Sequence, residues 1–145
     1  MEGLNVELRM RLSAADAHYG GHLVDGAHGL EIFGDIVTEL AIHTDGDEGL
    51  FAGYEKVEFL APLAAGDFVR ATGTIVRMGN TSRTVDLELW KEIAARPDIS
   101  DSAADYLEQP VLATRARGTY VVRKDHSRGP QGRAVAAGER FNPPA

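Results

Sequence analysis

One stretch of helical periodicity, residues 27–42, stands among segments that alternate between apolar and polar residues. Its apolar residues recur at intervals of three and four: Leu30, Phe33, Val37 and Leu40. This spacing is typical of an amphipathic helix with a broad apolar face. Asp25 is a candidate N-cap, and the polar, glycine-containing run 44–47 predicts the end of the helix.

Segments with a period of two predict β-strands on both sides of the helix. They are residues 6–12, 50–60, 67–78, 84–90 and 110–122. Turn residues at 64–67 and 79–81 predict an antiparallel meander of the strands that they connect. One long helix with an antiparallel sheet of about five strands is an α+β arrangement, with the helix across the concave face of a curled sheet.

Three segments fall outside these elements. Residues 13–26 form a polar, glycine-containing loop, and residues 94–109 are acidic and alanine-rich, which predicts an excursion loop with or without a short helix. Residues 123–145 form a basic tail on the surface or on a partner subunit. The chain is interpreted as one domain, 1–145. The open edges of its sheet predict at least a dimer.

Composition excludes several classes of function. The chain has no cysteine, so disulfides, thiolate metal sites and cysteine nucleophiles are ruled out. Its formal net charge of −7 argues against a nucleic-acid partner. Short apolar runs and the absence of a visible signal peptide predict a cytoplasmic protein without a membrane partner. His18, His22, Asp25 and His28 match no strong zinc spacing, so no metal is expected.

Several motifs, in order along the chain, resemble those of hotdog-fold acyl-CoA enzymes. Residues 16–27 resemble the loop that enters the central helix of these enzymes, and 79–82 resembles their turn beside the pantetheine of coenzyme A. Residues 59–62, followed by Gly66 and Asp67, resemble their second-strand signature. Within this superfamily the chain is most similar to the β-aminoacyl-CoA ammonia-lyases. The further segments that carry this similarity are 33–35, 38–40, 50–54, 90–91 and 128–131.

The resemblance implies a hotdog fold, in which the sheet wraps the long central helix. It also implies reversible loss of ammonia from 3-aminobutyryl-CoA or β-alanyl-CoA, giving crotonyl-CoA or acrylyl-CoA. No cofactor is implied beyond the coenzyme A of the substrate. The expected assembly is a homo-oligomer, a dimer at least, with a hexamer as the larger alternative.

One departure separates the chain from a large group of hotdog thioesterases. That group carries Asn where His18 stands, and an acidic helix residue seven positions after a Gly-Gly pair. Here the pair is Asp25-Gly26 and the seventh position is Phe33. Asp35 lies two residues further on, about 200° around the helix, so it is no simple substitute. The missing carboxylate disfavours a thioesterase and leaves room for a lyase.

An ammonia-lyase needs a base for the Cα proton and an oxyanion hole for the enolate. The N–H groups that open the helix, at Gly26 and Ala27, are the candidate oxyanion hole because helix N-termini carry unpaired donors and partial positive charge. Alternatively, Gly26 only serves the turn. By the resemblance His18 faces the thioester, as base, acid or donor; otherwise it is an exposed loop histidine. Asp16 either orients His18 or caps the loop.

Other candidates are two tyrosines and several carboxylates. Tyr19 and Tyr54 either line the pocket as donors or pack with satisfied hydroxyls. Three carboxylates form an acidic helix stripe, either a solvated face or, when buried, partners for an ammonium group: Glu31, Asp35 and Glu39. Glu58 lies within an otherwise apolar strand, where a buried carboxylate would need a partner. Asp35 and Glu58 rank above Glu39 as catalytic carboxylates.

An acidic protein needs local cations to bind the phosphates of coenzyme A. The turn at Asn80, Thr81 and Ser82 offers N–H and hydroxyl groups, with Arg77 and Arg83 on its flanks. Basic residues of the tail are predicted to reach the nucleotide, within the chain or across a subunit boundary: Arg123, Lys124, Arg128 and Arg133. The alternative is a disordered terminus. Rival functions are an acyl-CoA thioesterase, an enoyl-CoA hydratase and a non-catalytic acyl-CoA-binding module.

Overall fold

The structure is a computed structural model that describes residues 1–17 and 19–131. The described chain forms one long helix and seven strands. In chain order the elements are β1 (Asn5–Arg11), β2 (Leu23–Val24), α1 (Gly26–Asp45), β3 (Leu50–Phe59), β4 (Leu63–Ala64), β5 (Phe68–Met78), β6 (Ser82–Ala95) and β7 (Ala104–Val121). Two short 3-10 helices, Ala14–Asp16 and Gly20–His22, lie between β1 and β2. A long helix with a five-stranded antiparallel sheet is therefore confirmed.

The main sheet has the strand order β1-β5-β6-β7-β3, and each neighbouring pair is antiparallel. The predicted meander is confirmed for β5, β6 and β7 but is wrong for β3, which pairs with β7 at the far edge. The turn at 64–67 therefore ends a crossover between distant strands and is not a hairpin. The buried Asp67 carboxylate holds this turn, since it accepts hydrogen bonds from the N–H groups of Ala64 and Ala95, both at 2.8 Å.

Helix α1 packs its apolar face on the concave side of the sheet. Its fully buried side chains meet apolar side chains of the sheet, and the set on the helix is Phe33, Ile36, Leu40 and Ala41. Gly73 lets the helix approach closely, because a Cβ there would lie 2.4 Å from Cγ2 of Ile36. The helix extends three residues beyond the predicted end at 42. It stops at Gly46, whose φ of +63° and N–H bond to the Ile42 oxygen (2.8 Å) form a C-cap.

The predicted excursion loop at 94–109 is wrong. Strand β6 continues to Ala95 and β7 begins at Ala104, so only 96–103 connects them. This end of the hairpin extends beyond β5, whose pairing with β6 ends at Ile93. Both of its faces are largely free of core contacts, and Tyr106 is 77% exposed. Ladder hydrogen bonds therefore hold the segment without an alternating apolar pattern in its sequence.

The segment after β7 lies along the C-terminal end of α1. The N–H of Arg128 donates to the Asp45 oxygen at 2.7 Å, and the N–H of Gln131 donates to the His43 oxygen at 2.9 Å. The rest of the predicted tail, residues 132–145 with Arg133, lies outside the described residues. Among the residues that are described, no helix combines the length and apolar character that crossing a membrane requires.

Candidate active site

A cavity of about 290 Å³ opens at the N-terminus of α1. The end of β3 and the crossover that follows it form the opposite wall. The lining residues are Val24, Asp25, Gly26, Gly29, Phe59, Leu60, Ala61, Pro62, Leu63 and Thr114. The crossover, which the predicted meander lacked, is what places apolar side chains against the helix opening.

The helix opening presents backbone donors to this cavity. Asp25 is the N-cap residue, but its side chain makes no capping hydrogen bond within the described residues, and its carbonyl accepts the N–H of His28 at 3.2 Å. The positive end of the helix dipole and the first-turn N–H groups are thus left without a side-chain cap. At Gly26 a Cβ would lie 2.5 Å from Cε1 of Phe59, so a side chain there would enter the cavity.

Sequence reasoning missed Thr114 as a wall of the cavity. This residue is 3% exposed and lies opposite Phe59 in the pairing of β3 with β7. Its Oγ1 is 3.7 Å from the position that a Cβ of Gly29 would take, so it stands beside the first turn of α1. Threonine is common in β-strands, so the sequence alone gives no sign that this hydroxyl lines a cavity.

The loop before α1 is held by a carboxylate cap. Oδ2 of Asp16 accepts hydrogen bonds from the N–H (2.9 Å) and Oγ (3.0 Å) of Ser13, so Asp16 does cap the loop. His18 lies outside the described residues, and its contact with Asp16 and its catalytic role stay predictions. Tyr19 is 63% exposed in the single chain, and its N–H donates to the Leu23 oxygen at 3.3 Å.

His28 is a second residue that sequence reasoning left out of the catalytic set. Its Nε2 lies 3.6 Å from Oδ2 of Asp16, and its Nδ1 lies 3.7 Å from Oε2 of Glu31. The imidazole therefore lies between the first turn of α1 and the loop before it. Its i, i+3 spacing from Glu31 was the available signal. Within the described part of the chain, no three His, Asp or Glu side chains could hold a metal ion.

The two carboxylates predicted as catalytic do not reach the cavity within one chain. Asp35 is exposed and lies about 13 Å along the helix axis from Gly26. Glu58 points away from α1 and pairs with Arg115, whose Nε and Nη2 donate to it at 3.1 and 2.9 Å. Hydrogen bonds from Arg115 hold the pKa of Glu58 below its usual value. The partner that the sequence requires of a carboxylate at this position is Arg115, and the apolar neighbour Val57 packs on the other face.

Tyr54 packs as part of the helix–sheet contact. Its ring centroid lies 4.6 Å from that of Phe51, and its hydroxyl donates to the Leu30 oxygen at 3.4 Å. Burial raises the pKa of the Tyr54 hydroxyl, which therefore stays protonated at neutral pH. The contact with Leu30 places the hydroxyl of Tyr54, which belongs to β3, against α1 one turn after the helix opening.

Part of the set predicted to bind coenzyme A lies at the other end of α1, namely Asn80, Thr81, Ser82, Lys124 and Arg128. The N–H of Val122 donates to the Thr81 oxygen at 2.9 Å, which joins the Asn80–Ser82 turn to the basic segment. Lys124 is exposed, and Nε of Arg128 donates to the Gly46 oxygen at 3.0 Å. Helix α1 has 20 residues, so this group lies roughly 30 Å from the helix opening in the same chain.

Comparisons with known proteins place the chain in a family. The model of the thioesterase superfamily matches residues 31–95. A 3-aminobutyryl-CoA ammonia lyase from Acetoanaerobium sticklandii is 56% identical over 121 residues, which cover 83% of this chain and 96% of that protein. The chain belongs to the hotdog-fold β-aminoacyl-CoA ammonia-lyase family. The family predicted from the motifs is thereby confirmed.

Solved structures agree with this ammonia-lyase family assignment. The β-alanyl-CoA:ammonia lyase from Clostridium propionicum is 42% identical, with a TM-score of 0.86 over 90% of this chain and 93% of that one. A hexameric hotdog fold thioesterase of Campylobacter jejuni is 22% identical, with a TM-score of 0.67 over 85% and 86% of the two chains. The second likeness concerns the fold alone, and the predicted hotdog fold is confirmed.

Phe33 distinguishes this ammonia-lyase family member from the thioesterase pattern in physical terms. The side chain is fully buried between α1 and the sheet. A carboxylate at this position would face apolar groups in a single chain, where an unpaired charge is costly. The position therefore serves the core here and supplies no acid to the cavity.

Proposed function

We propose that the chain catalyses the reversible elimination of ammonia from a β-aminoacyl-CoA. The substrates would be 3-aminobutyryl-CoA or β-alanyl-CoA, and the products crotonyl-CoA or acrylyl-CoA with ammonia. The observation that carries this proposal is the 56% identity, over 83% of the chain, with a protein that bears this activity in its name. The uncapped helix opening at a cavity supports it, because it suits a thioester oxygen.

The proposed reaction breaks a C–H bond and a C–N bond and forms one C=C bond. A base takes the proton from Cα, and the electron pair moves onto the thioester oxygen at the N–H groups of Gly26 and Ala27. The pair then returns to form the double bond, while the amino group, protonated as ammonium, departs with the C–N pair as neutral ammonia and the Cα proton stays on the base. We propose His18 as the base, a role supported by its match to the polar loop residue of hotdog-fold enzymes. The reaction needs no cofactor beyond the coenzyme A of the substrate.

We further propose that the working site is shared by two protomers. The helix opening and the basic turn lie roughly 30 Å apart in one chain, so an antiparallel pair of α1 helices would bring them closer together. The outer edge of β3 supports such a pair, since Leu50 and Phe59 are exposed at its ends. A dimer is the minimal assembly, and a hexamer the larger alternative.

The proposed activity predicts a reaction that depends on ammonium. Mixing the protein with crotonyl-CoA should remove the enoyl absorbance in ammonium buffer and leave it unchanged in a sodium buffer of equal ionic strength. The product should be 3-aminobutyryl-CoA by mass. Ammonia is the only nucleophile that differs between the two buffers, so the comparison isolates its addition.

Each rival function gives a different result in the same assay. Loss of absorbance without ammonium would indicate an enoyl-CoA hydratase, and release of free thiol would indicate a thioesterase. No change with either crotonyl-CoA or acrylyl-CoA would contradict the lyase and favour a binding module. The Phe33 core position argues against the thioesterase outcome.

Arg128→Ala is expected to raise the Michaelis constant for the acyl-CoA with little loss of turnover. The guanidinium lies exposed at the C-terminal end of α1, tethered through Nε to the Gly46 oxygen, which leaves its other N–H groups for a phosphate. Such binding is equal in the ground and transition states, so it changes KM and not kcat. Arg9→Ala is the control, because Arg9 makes an exposed ion pair with Glu92. An unchanged KM in Arg128→Ala would contradict the assignment.

A further inference from the structure

A buried ion pair joins the C-terminal end of α1 to the start of β6. Nη2 of Arg83 lies 2.8 Å from Oδ1 of Asp45, and the two side chains are 8% and 3% exposed. The Asp45 carboxylate also accepts hydrogen bonds from Oγ1 of Thr44 (2.6 Å) and Oγ of Ser127 (2.7 Å). Although burial opposes the charged form, these bonds and Arg83 bring the pKa of Asp45 below its usual value. The pair is therefore ionised at neutral pH.

The same guanidinium holds the turn between β5 and β6 from the inside. Its Nη1 donates to the carbonyl oxygens of Gly79 (3.2 Å), Asn80 (3.3 Å) and Ser82 (3.4 Å). The described chain has no cis peptide bond, and in a trans peptide the N–H points opposite to the C=O of the same unit. The N–H groups of Asn80 and Thr81 therefore point away from Arg83, towards the surface.

The segment after β7 depends on the same carboxylate. Ser127 donates to Asp45 through its hydroxyl, and the N–H of Arg128 donates to the Asp45 backbone oxygen. The turn and this segment also meet directly, through the Val122 N–H and the Thr81 oxygen. One buried pair thus fixes two surface segments relative to each other and to the helix.

We propose that Arg83 and Asp45 are positioning residues, which hold the N–H groups of Asn80 and Thr81 outwards for an oxygen acceptor on the coenzyme A part of the substrate. The inference rests on the proposed function and adds how the protein binds the coenzyme A part of the substrate. Two successive N–H groups make a small concave site for an oxygen anion or carbonyl. The acceptor is a pantetheine amide oxygen or a phosphate oxygen.

A role in positioning explains why an ion pair is kept at a buried place. Apolar residues of similar volume often give equal stability, so a buried pair is weak support for a purely structural role. An apolar side chain at 83 could not hold three carbonyl oxygens and a carboxylate at once. Nε of Arg83 is also buried without a hydrogen-bond partner among the described residues, which a purely stabilising arrangement would avoid.

Arg83→Lys tests the proposal, because lysine keeps the charge beside Asp45 but lacks the planar fork. The dissociation constant for coenzyme A, measured by calorimetry, should rise about tenfold, as should KM for crotonyl-CoA, with kcat within about twofold. Arg117→Lys is the matched control, since Arg117 pairs with Asp86 on the exposed sheet face (2.6 Å). A folded Arg83→Lys protein with unchanged coenzyme A affinity would overturn the proposal, as would a fall in kcat alone.

Asn80→Pro tests the outward donor while the buried pair stays intact, so it remains informative if Arg83→Lys does not fold. Proline removes one N–H, and Asn80 does not have the positive φ that a proline ring cannot adopt. Asn80→Ala loses only the side chain. KM should be about fivefold higher for the proline variant than for the alanine variant, the loss of one hydrogen bond. Equal values would contradict the donor role.

Two further measurements identify the acceptor and separate this inference from the proposed function. With the crotonyl thioester of pantetheine, which lacks the nucleotide, the proline effect persists for an amide acceptor and vanishes for a phosphate. Calorimetry with coenzyme A needs no turnover. Weaker binding by Arg83→Lys in a protein without lyase activity would support the positioning role and refute the function. A wild-type chain that binds no coenzyme A would refute both.

Discussion

Phe33→Asp is expected to unfold the protein and not to create a thioesterase. Phe33 is fully buried against Ile36 and the apolar face of the sheet. Removing a buried phenyl ring costs about 3–5 kcal/mol, and an unpaired carboxylate in its place adds a further penalty. Together these exceed the lower part of the 5–15 kcal/mol that typically stabilises a domain. Circular dichroism should show no cooperative melting transition, and no thiol should be released from crotonyl-CoA.

Phe33→Leu is the matched control for this prediction. It keeps an apolar side chain in the same space and should cost only about 1–2 kcal/mol, with a lower melting temperature and retained lyase activity. A folded Phe33→Asp protein that hydrolyses acyl-CoA would contradict the prediction. It would show that position 33 faces the substrate, and the thioesterase interpretation would regain its support.

The helix and most strands could be predicted because burial imposes a period on the sequence. The spacing of Leu30, Phe33, Val37 and Leu40 locates α1 to within three residues of its end. The later end arises from tertiary contacts, since Thr44 and Asp45 are polar but buried in hydrogen bonds with other segments. Periodicity predicts a helix only as far as the apolar pattern extends, and α1 continues beyond the end of that pattern.

Strand order and the outer hairpin could not be obtained in this way. A turn sequence shows where the chain reverses, but not which sheet edge the next strand joins, so β3 was placed beside β5 and not beside β7. At 94–109 the strands have little core to face, and their sequence therefore lacks an apolar alternation. Ion pairs of Arg96 with Asp98 (2.9 Å) and Asp105 (2.6 Å) stabilise that end.

The sequence predicts the part of the candidate site that the backbone forms. It does not predict the parts that depend on the direction in which a side chain points. The helix opening at Gly26 does face a cavity, and this glycine, the first residue of α1, is visible in the sequence. Arg83 was interpreted as a surface cation for phosphate, yet it is buried. The period of Val85, Leu87 and Leu89, continued back by two, already places residue 83 on the inner face. Side-chain direction also keeps Glu58 outside the cavity of one chain. Asp35 lies outside it because of its distance along α1.

Gly26→Val is expected to lower kcat/KM by about 100-fold while the protein stays folded, which is the effect of losing one oxyanion-hole donor. A Cβ at this position lies 2.5 Å from Cε1 of Phe59, so valine would fill the mouth of the cavity and cover the first-turn N–H groups. The fold should tolerate the change, because Gly26 has no left-handed φ and the Phe59 ring lies outside the buried core of the chain. Steady-state kinetics with crotonyl-CoA and ammonium, with a melting curve, measure both effects.

Gly34→Val provides the comparison on the same helix. Apart from the backbone of the helix itself, no atom of the described residues lies within 4 Å of the position that its Cβ would take, and it is eight residues from Gly26, away from the cavity. Both variants add the same side chain to α1, so a general effect on helix stability would appear in both. If Gly26→Val retained wild-type kcat/KM, the carbonyl of the substrate could not lie at the helix opening. Catalysis would then have to use donors elsewhere, even with the family assignment unchanged.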